Sequence, residues 1–153
     1  MKILIYFSSL PLIFLVACSS LVLKPADFSW PVESVVNIDN DGNVAIERYS
    51  ESFNTKMLFL KETGDSLAYQ NKQLRVIRSV KGYYFMIANN FKNVYVFNVK
   101  DGALHLKKEI AITDSVGIPN PAFNQRPPFI ELTYGEHNAK KINLNENGIE
   151  KEE

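Results

Sequence analysis

The fold of this chain is decided by residues 83–112, which read YYFMIANNFKNVYVFNVKDGALHLKKEIAI. Tyrosine, phenylalanine, valine and isoleucine, the residue types that favour strands, dominate its first half. The runs 83–88 and 94–97 are apolar at successive positions, which predicts central strands buried on both faces. Asp101-Gly102 then supplies the positive φ angles that a tight hairpin turn needs. The stretch therefore predicts antiparallel β-structure.

The segment after this turn, 103–112, alternates between apolar and polar residues. Leu104, Leu106, Ile110 and Ile112 are spaced to fall on one side of a strand, with polar residues between them. Such a pattern is typical of a sheet with one dry and one wet face.

Similar short runs, separated by glycine turn pairs such as Asp41-Gly42 and Asn147-Gly148, continue through the rest of the chain. We therefore predict an all-β fold, an antiparallel meander of about eight or nine strands that forms a two-layer sandwich or a curved open sheet. The segment 51–62 is also compatible with a helix. The predicted strands are 34–38, 43–48, 55–61, 73–79, 83–88, 92–99, 103–112, 129–134 and 139–144, with a possible last one at 149–152.

Residues 91–110 also resemble the middle of a β-propeller blade, in which a Val-Tyr-Val-Phe strand passes through an Asp-Gly turn into the next strand. The resemblance covers less than a quarter of the chain. A closed propeller needs at least four blades, and this length has room for two or three. The resemblance thus implies an antiparallel meander.

The first eighteen residues have the layout of a secretory signal. Lys2 provides a positive start, an apolar run follows to Val16, and Ala17 precedes the single cysteine, Cys18. Leu15-Val16-Ala17-Cys18 resembles the lipobox of bacterial lipoproteins. An ordinary signal peptide cut near Ala17 and a retained membrane anchor are the alternatives, although the apolar run is short for a span of about 20 residues.

The lipoprotein resemblance implies that Cys18 is the lipid attachment site and the first residue of the mature chain. It divides the sequence into a signal peptide (1–17), a lipidated N-terminus and tether (18–31) and a single β-rich domain (32–153). In such lipoproteins Asp after the cysteine often marks inner-membrane retention, so Ser19 favours the outer membrane, facing the periplasm. The membrane is then a partner of the chain through the acyl chains.

The composition excludes several classes of protein. The full chain of 153 residues carries 17 basic and 17 acidic side chains. It therefore lacks the excess of positive charge that is typical of a nucleic-acid-binding protein. With its one cysteine acylated, the mature protein has no thiol for a disulfide or a thiolate metal site. We expect no cofactor.

Catalytic and metal motifs are sparse. The histidines are His105 and His137, and no Gly-x-Ser-x-Gly elbow or glycine-rich phosphate loop accompanies them. Residues 37–48 partly match a calcium loop, but Arg48 occupies the position of the bidentate glutamate, and a hairpin turn explains the Asp-Asn-Asp-Gly sequence. We therefore expect neither an enzyme nor a metal site. An envelope enzyme would need His105 or His137 beside a nucleophile or a metal.

The long connection 113–128 contains four prolines and is predicted to be irregular. Long irregular loops in compact domains are often functional, and aromatic residues and arginine dominate interface hot spots. Phe123 and Arg126 are therefore the candidate partner-binding residues. The alternative is that Phe123 folds back into the core.

Two functions follow from these patterns. The first is a non-catalytic accessory or scaffold component of an envelope assembly, with an envelope protein as its partner. The second is a lipoprotein that binds a small ligand, a glycan or a lipid, through the aromatic residues Tyr83, Tyr84, Tyr95 and Phe97. An apolar cavity among these aromatics would favour the ligand, and an exposed Phe123 patch would favour the protein partner.

Overall fold

A computed structural model describes residues 33–150 of the chain. Cys18, the lipobox and the tether 18–31 lie outside the described residues. The described residues form eleven strands, one α-helix and two short 3₁₀ turns. The elements are β1 (Ser34–Asn37), β2 (Asn43–Ile46), β3 (Glu51–Asn54), α1 (Lys56–Thr63), β4 (Gln73–Arg78), β5 (Tyr84–Ala88), β6 (Asn93–Lys100), β7 (Ala103–Ala111), β8 (Ala122–Arg126), β9 (Phe129–Tyr134), β10 (Lys140–Asn145) and β11 (Gly148–Ile149), with the 3₁₀ turns at Glu47–Tyr49 and Glu136–Asn138.

All strand pairs are antiparallel, which confirms the predicted all-β antiparallel fold. The first sheet has five strands in the order β1-β4-β5-β6-β7, and the second has four in the order β11-β10-β9-β8. β4 to β7 and β8 to β11 are each a meander of sequential neighbours. The hairpin β2-β3 and helix α1 are inserted between β1 and β4. Within the described residues, neither sheet closes into a barrel.

The first sheet lies in the middle of the structure. β5 is buried at every position, as the run 83–88 predicted from Tyr84 onward. On one face, Tyr84 and Tyr95 contact residues of the inserted segment, Tyr49 and Glu62 respectively. The second sheet contributes its own apolar residues to the same core: Phe123, Ile130, Leu132 and Leu144.

The predicted hairpin turn between β6 and β7 is present. Asp101 and Gly102 have φ angles of 52° and 73°, both in the left-handed region. Glycine adopts this region without steric cost and aspartate tolerates it better than most residues, so this pair fixes where the hairpin reverses.

The predicted strand 55–61 is wrong, because these residues begin helix α1. Lysine, methionine, leucine and glutamate, which make up most of Lys56–Thr63, have high helix propensity. Gly64 ends the helix at φ 78°, and its N–H donates to the carbonyl of Leu60 at 2.9 Å. The strand of this region lies just before the helix, at β3.

The prediction that 113–128 is irregular throughout is also wrong, because β8 lies within it. β8 pairs with β9 over five residues, from Ala122 opposite Thr133 to Arg126 opposite Phe129. Phe123 and Gln125 point into the core, while Asn124 between them and Arg126 after them are exposed. A polar glutamine at an inward position conceals the alternation that would have indicated a strand.

Candidate functional site

An apolar groove of about 360 Å³ lies where the inserted segment meets the end of the first sheet. From β3 and α1 it is lined by Phe53, Met57 and Leu58. From the sheet it is lined by apolar residues of three neighbouring strands. These are Met86 on β5, Tyr95 and Phe97 on β6, and Leu104 and Leu106 on β7.

The groove is open to solvent along its rim. Met57 is 73% exposed and Leu106 is 46% exposed, although both are large apolar side chains. Tyr95 and Met86, at its base, are buried. Contiguous exposed apolar surface with a concave shape is typical of a binding site.

A β-bulge in β7 changes which of its side chains face the groove. Phe97 pairs with Leu106 and Val99 with Leu104, whereas Val94 pairs with Ile110, and the register shifts between Val96 and Phe97. Directly paired residues share one face of a sheet. Leu104 and Leu106 therefore lie on the groove face and Ile110 on the opposite face, so the prediction that all four apolar residues of 103–112 share one side is wrong.

Helix α1 is fixed to the sheet by the carboxylate of Glu62. Its oxygens accept hydrogen bonds from the backbone N–H of Lys92, from Asn93 Nδ2 at 2.8 Å and from the hydroxyl of Tyr95 at 2.6 Å. Burial, reinforced by the neighbouring Glu62 carboxylate, strongly raises the pKa of the Tyr95 phenol, so this hydroxyl stays protonated and donates. Beside this contact, Lys61 Nζ lies 2.6 Å from Glu109 on β7.

Two of the four predicted ligand-binding aromatics reach the groove. Tyr95 and Phe97 line it, but Tyr83 and Tyr84 do not. The Tyr84 ring packs edge-on against Tyr49, with centroids 5.4 Å apart. Tyr83 lies under the ammonium of Lys107, 4.6 Å from its ring centroid.

The two predicted partner-binding residues differ in exposure to solvent, since one is buried and the other is exposed. Phe123 is 3% exposed and packs in the core, which is the alternative that the sequence left open, so it is not available to a partner. Arg126 has a side chain that is 63% exposed and lies 3.6 Å from Glu131. Val116, a large apolar residue of this connection, is 74% exposed.

Neither histidine lies in the groove. His105 is exposed on β7 opposite Asn98, and His137 is exposed in the turn after β9. In the partial calcium loop, Asp39 Oδ1 accepts hydrogen bonds from the backbone N–H groups of Asp41 and Asn43, at 2.9 and 2.7 Å. Among residues 33–150, no three histidine, aspartate or glutamate side chains are grouped so that they could hold a metal.

Sequence reasoning missed the half of the groove that α1 supplies. Met57 and Leu58 belong to the segment 55–61, which was predicted to be a strand. The residues around them do not alternate between apolar and polar types, so no pattern marks the side that faces the groove. The unbroken apolar run Met57 to Leu60 did not help, because a run of this length fits a buried strand as well as a helix.

Comparison with protein-family models, with curated proteins and with solved structures finds no match to this chain. In the part of the chain that the structure describes, no helix is long and apolar enough to cross a bilayer. The chemistry of the groove is therefore the main guide to function.

Proposed function

We propose that this chain is a lipid-anchored protein of the cell envelope that acts by binding and not by catalysis, and that the apolar groove holds an acyl chain of a lipid. The observation that carries the proposal is the groove itself, an apolar cavity that includes Tyr95 and Phe97. Its volume of about 360 Å³ is in the size range of small-ligand sites. Of the two functions that the sequence predicts, this geometry favours the binder of a small ligand.

The polar groups at the groove favour a lipid over a glycan. Thr55 Oγ1 donates to the carbonyl of Gly42 at 2.8 Å, and Asn54 Nδ2 donates to the carbonyl of Asp41 at 2.9 Å. Lys61 is paired with Glu109. Because these groups already have partners, few remain to orient sugar hydroxyls, and burial of apolar surface is the main source of affinity.

The methionines make the groove adaptable. Met57 at the rim and Met86 at the base carry unbranched, flexible side chains that repack around ligands of different shape. We infer that the groove accepts acyl chains of varied length and saturation.

The anchor is proposed from the lipobox Leu15-Val16-Ala17-Cys18, with Ser19 favouring the outer membrane. Cells fed radiolabelled palmitate should yield a labelled chain. The Cys18→Ala variant should be unlabelled and should leave the membrane fraction. A Cys18→Ala chain that is still acylated would overturn this part of the proposal.

The ligand is tested with palmitic acid that carries a photoreactive diazirine. The probe is added to isolated membranes, so that it does not enter the anchor, and the crosslinked peptides are identified after irradiation. We expect crosslinks within 56–61 and 103–107. Met57→Glu and Leu106→Glu each put a carboxylate in the groove at an exposed position, and each should reduce the label about tenfold because a charge opposes apolar burial.

Val116→Glu is the matched control, since it adds the same charge at another exposed apolar residue. It should keep the label. Equal labelling of all three variants, or label spread over the surface of the domain, would show that the groove is not a lipid site.

A second candidate function is the accessory component of an envelope assembly. It is favoured by the exposure of Val116 and Arg126 on the connection 113–128. Crosslinking in the native envelope should then capture one defined protein, and Val116→Ala/Arg126→Ala should abolish its capture. Phe123 is left intact, because truncating a core residue would confuse lost contact with lost folding.

A further inference from the structure

A second groove, wider and polar, opens at the other end of the first sheet. Its volume is about 600 Å³. Four separate segments converge on it: the end of β1, the start of β4, the β5–β6 turn and the chain just before β8. Five of its lining residues are carboxamides: Asn37, Asn71, Gln73, Asn89 and Asn120.

Some of these carboxamides already form hydrogen bonds within the protein. Asn37 Oδ1 accepts from Gln73 Nε2 at 3.0 Å, and Asn89 Oδ1 accepts from the backbone N–H of Asn120 at 2.8 Å. These bonds orient the side chains of Asn37 and Asn89 through their Oδ1 atoms, and their NH₂ groups remain available as donors. The side-chain amides of Asn71 and Asn120 make no hydrogen bond with any residue in the range 33–150. Donors and acceptors therefore remain available around one groove.

The loops that present these amides are held in place. Asn71 and Asn120 have φ angles of 56° and 49°, a left-handed conformation that asparagine tolerates better than most residues. The N–H of Lys72 donates to the carbonyl of Tyr69 at 3.0 Å, and the N–H of Gly135 to that of Pro119 at 2.9 Å. A site with fixed loops loses less entropy when a ligand binds.

The charged side chains that line the groove are both cationic. No carboxylate lines it, and its cations are Lys72 and Arg75. Arg75 Nη1 is paired with Glu33 Oε2 at 2.7 Å, whereas Lys72 forms no ion pair with another residue of the described chain. One unneutralised positive charge thus faces an amide-rich surface, which favours an anionic ligand.

We propose that this groove binds an anionic sugar, whose hydroxyls pair with the carboxamides and whose carboxylate or phosphate pairs with Lys72. A carboxamide both donates and accepts, as a hydroxyl does, and the match makes amides suitable partners for a polyhydroxylated ring. The lysine ammonium is a compact charge suited to an acid group. Ile38 and Pro121 are the apolar members of the lining, so an apolar ligand would gain little there.

The experiment follows the side-chain NH₂ resonances of Asn71 and Asn120 by ¹⁵N NMR. The full chain is purified in a detergent without a sugar headgroup and titrated with glucose 1-phosphate, glucuronic acid, glucose and inorganic phosphate. We expect saturable shifts with the two anionic sugars and binding about tenfold weaker with glucose, because one charge-assisted hydrogen bond is lost.

Lys72→Gln should weaken the binding of glucose 1-phosphate about tenfold and leave the binding of glucose unchanged, because the substitution removes the charge and keeps a polar side chain. Lys100→Gln, at an exposed lysine outside the groove, should bind like the wild type. The inference is overturned if the anionic sugars cause no shifts, if inorganic phosphate binds as tightly as glucose 1-phosphate, or if Lys72→Gln has no effect.

The anionic sugar could be soluble or could be a lipid headgroup, and a competition arm separates these sources. Phosphatidylcholine vesicles with and without phosphatidylinositol are added to the chain saturated with glucose 1-phosphate. Displacement only by vesicles with phosphatidylinositol supports the site with a headgroup as its ligand. No displacement supports the site with a soluble sugar. Equal displacement by both kinds of vesicle would contradict recognition of the polyhydroxylated group.

Discussion

At the scale of single residues, Gly117 lets the connection after β7 pack closely against the β5–β6 turn. A Cβ atom on Gly117 would lie 1.9 Å from the carbonyl oxygen of Asn90. The two segments are also joined by hydrogen bonds, from Asn90 N to Ile118 O at 3.0 Å and from Ile118 N to Phe91 O at 2.9 Å. The backbone here has no room for a side chain.

Gly117→Ala should therefore destabilise the fold. The new methyl group must push the two backbones apart, and overpacking of this kind costs about 1–3 kcal/mol. Urea unfolding followed by circular dichroism measures the loss, with the exposed Val116→Ala as control at no more than about 0.5 kcal/mol. Wild-type stability for Gly117→Ala would mean that the connection does not pack closely against the turn.

Glu33 gives the protein a specific pH dependence. It joins the start of the described chain to β4 and β8, since its carboxylate accepts hydrogen bonds from Arg75 Nη1 and from the N–H of Phe123 at 2.9 Å. Burial raises its pKa above the ordinary value of 4.5, and the two hydrogen bonds and the Arg75 charge only partly oppose this. The folded state thus holds the Glu33 proton more tightly than the unfolded state does.

It follows that the Glu33 contribution to the free energy of unfolding decreases as pH rises from 4.5 through the raised pKa. Glu33→Gln removes this titration, so the wild type should lose stability relative to the variant over that interval. Urea unfolding midpoints of both proteins, measured from pH 4 to pH 8, test the sign of this change in relative stability. Glu136→Gln, at an exposed glutamate, should run parallel to the wild type, and a wild-type advantage that grew with pH would refute the assignment.

At the scale of elements, the contact between helix α1 and the sheet depends on Glu62 more than on Lys61. Glu62 accepts hydrogen bonds from three donors, of which Tyr95 and Asn93 belong to β6. The Lys61–Glu109 pair is exposed on both sides, at 47% and 36%. Exposed ion pairs contribute about 0–1 kcal/mol, whereas hydrogen bonds to a charged group contribute about 1.5–3 kcal/mol.

Glu62→Ala should loosen α1 selectively. We expect amide hydrogen exchange to accelerate in 56–63 while β5 remains protected, because the helix loses its polar attachment and the sheet keeps its core. Lys61→Ala, one residue earlier, should change exchange little. Since α1 forms one wall of the apolar groove, Glu62→Ala should also lower photoreactive palmitate labelling, and unchanged exchange in the helix would contradict this account.

The elements also show which parts of the molecule the sequence could predict. The pattern of 83–112 predicts β5, β6, β7 and their hairpin, because strand-forming residues and an Asp-Gly turn act locally. The groove could not be predicted in full. The bulge in β7 leaves Lys107 without a position opposite it on β6, and in the sequence three polar residues, Lys107 to Glu109, separate Leu106 from Ile110. Tyr95 and Phe97 were found because both faces of their strand are apolar.

The remaining errors have the same physical cause. Whether 55–61 is a strand or a helix depends on tertiary contacts such as that of Glu62 with Tyr95, which lies 33 residues away. β8 was hidden because Gln125 takes an inward position beside β9. Local propensity limits which secondary structures a segment can adopt, and contacts between residues distant in sequence determine which of them forms.

At the scale of the whole molecule, one core joins the two sheets and the inserted segment. The apolar residues of both sheets belong to a single cluster with Val44 and Phe59 of the insertion. The ion pair between Lys81 and Glu146, at 2.7 Å, also links the two sheets, but it contributes little because Lys81 is exposed. The domain should therefore unfold as one cooperative unit whose stability depends on buried apolar contacts.

Phe123→Ala tests this cooperativity from the second sheet. Phe123 is buried on β8 opposite Leu132, and its truncation leaves a cavity that should cost about 3–5 kcal/mol. Because the core is shared, hydrogen exchange should accelerate equally in β5 of the first sheet and in β9 of the second. Arg126→Ala, on the exposed side of the same strand, should leave both strands protected. Faster exchange in β9 alone would mean that the sheets are separate folding units, and the apolar groove on the first sheet would then remain intact when the second sheet unfolds.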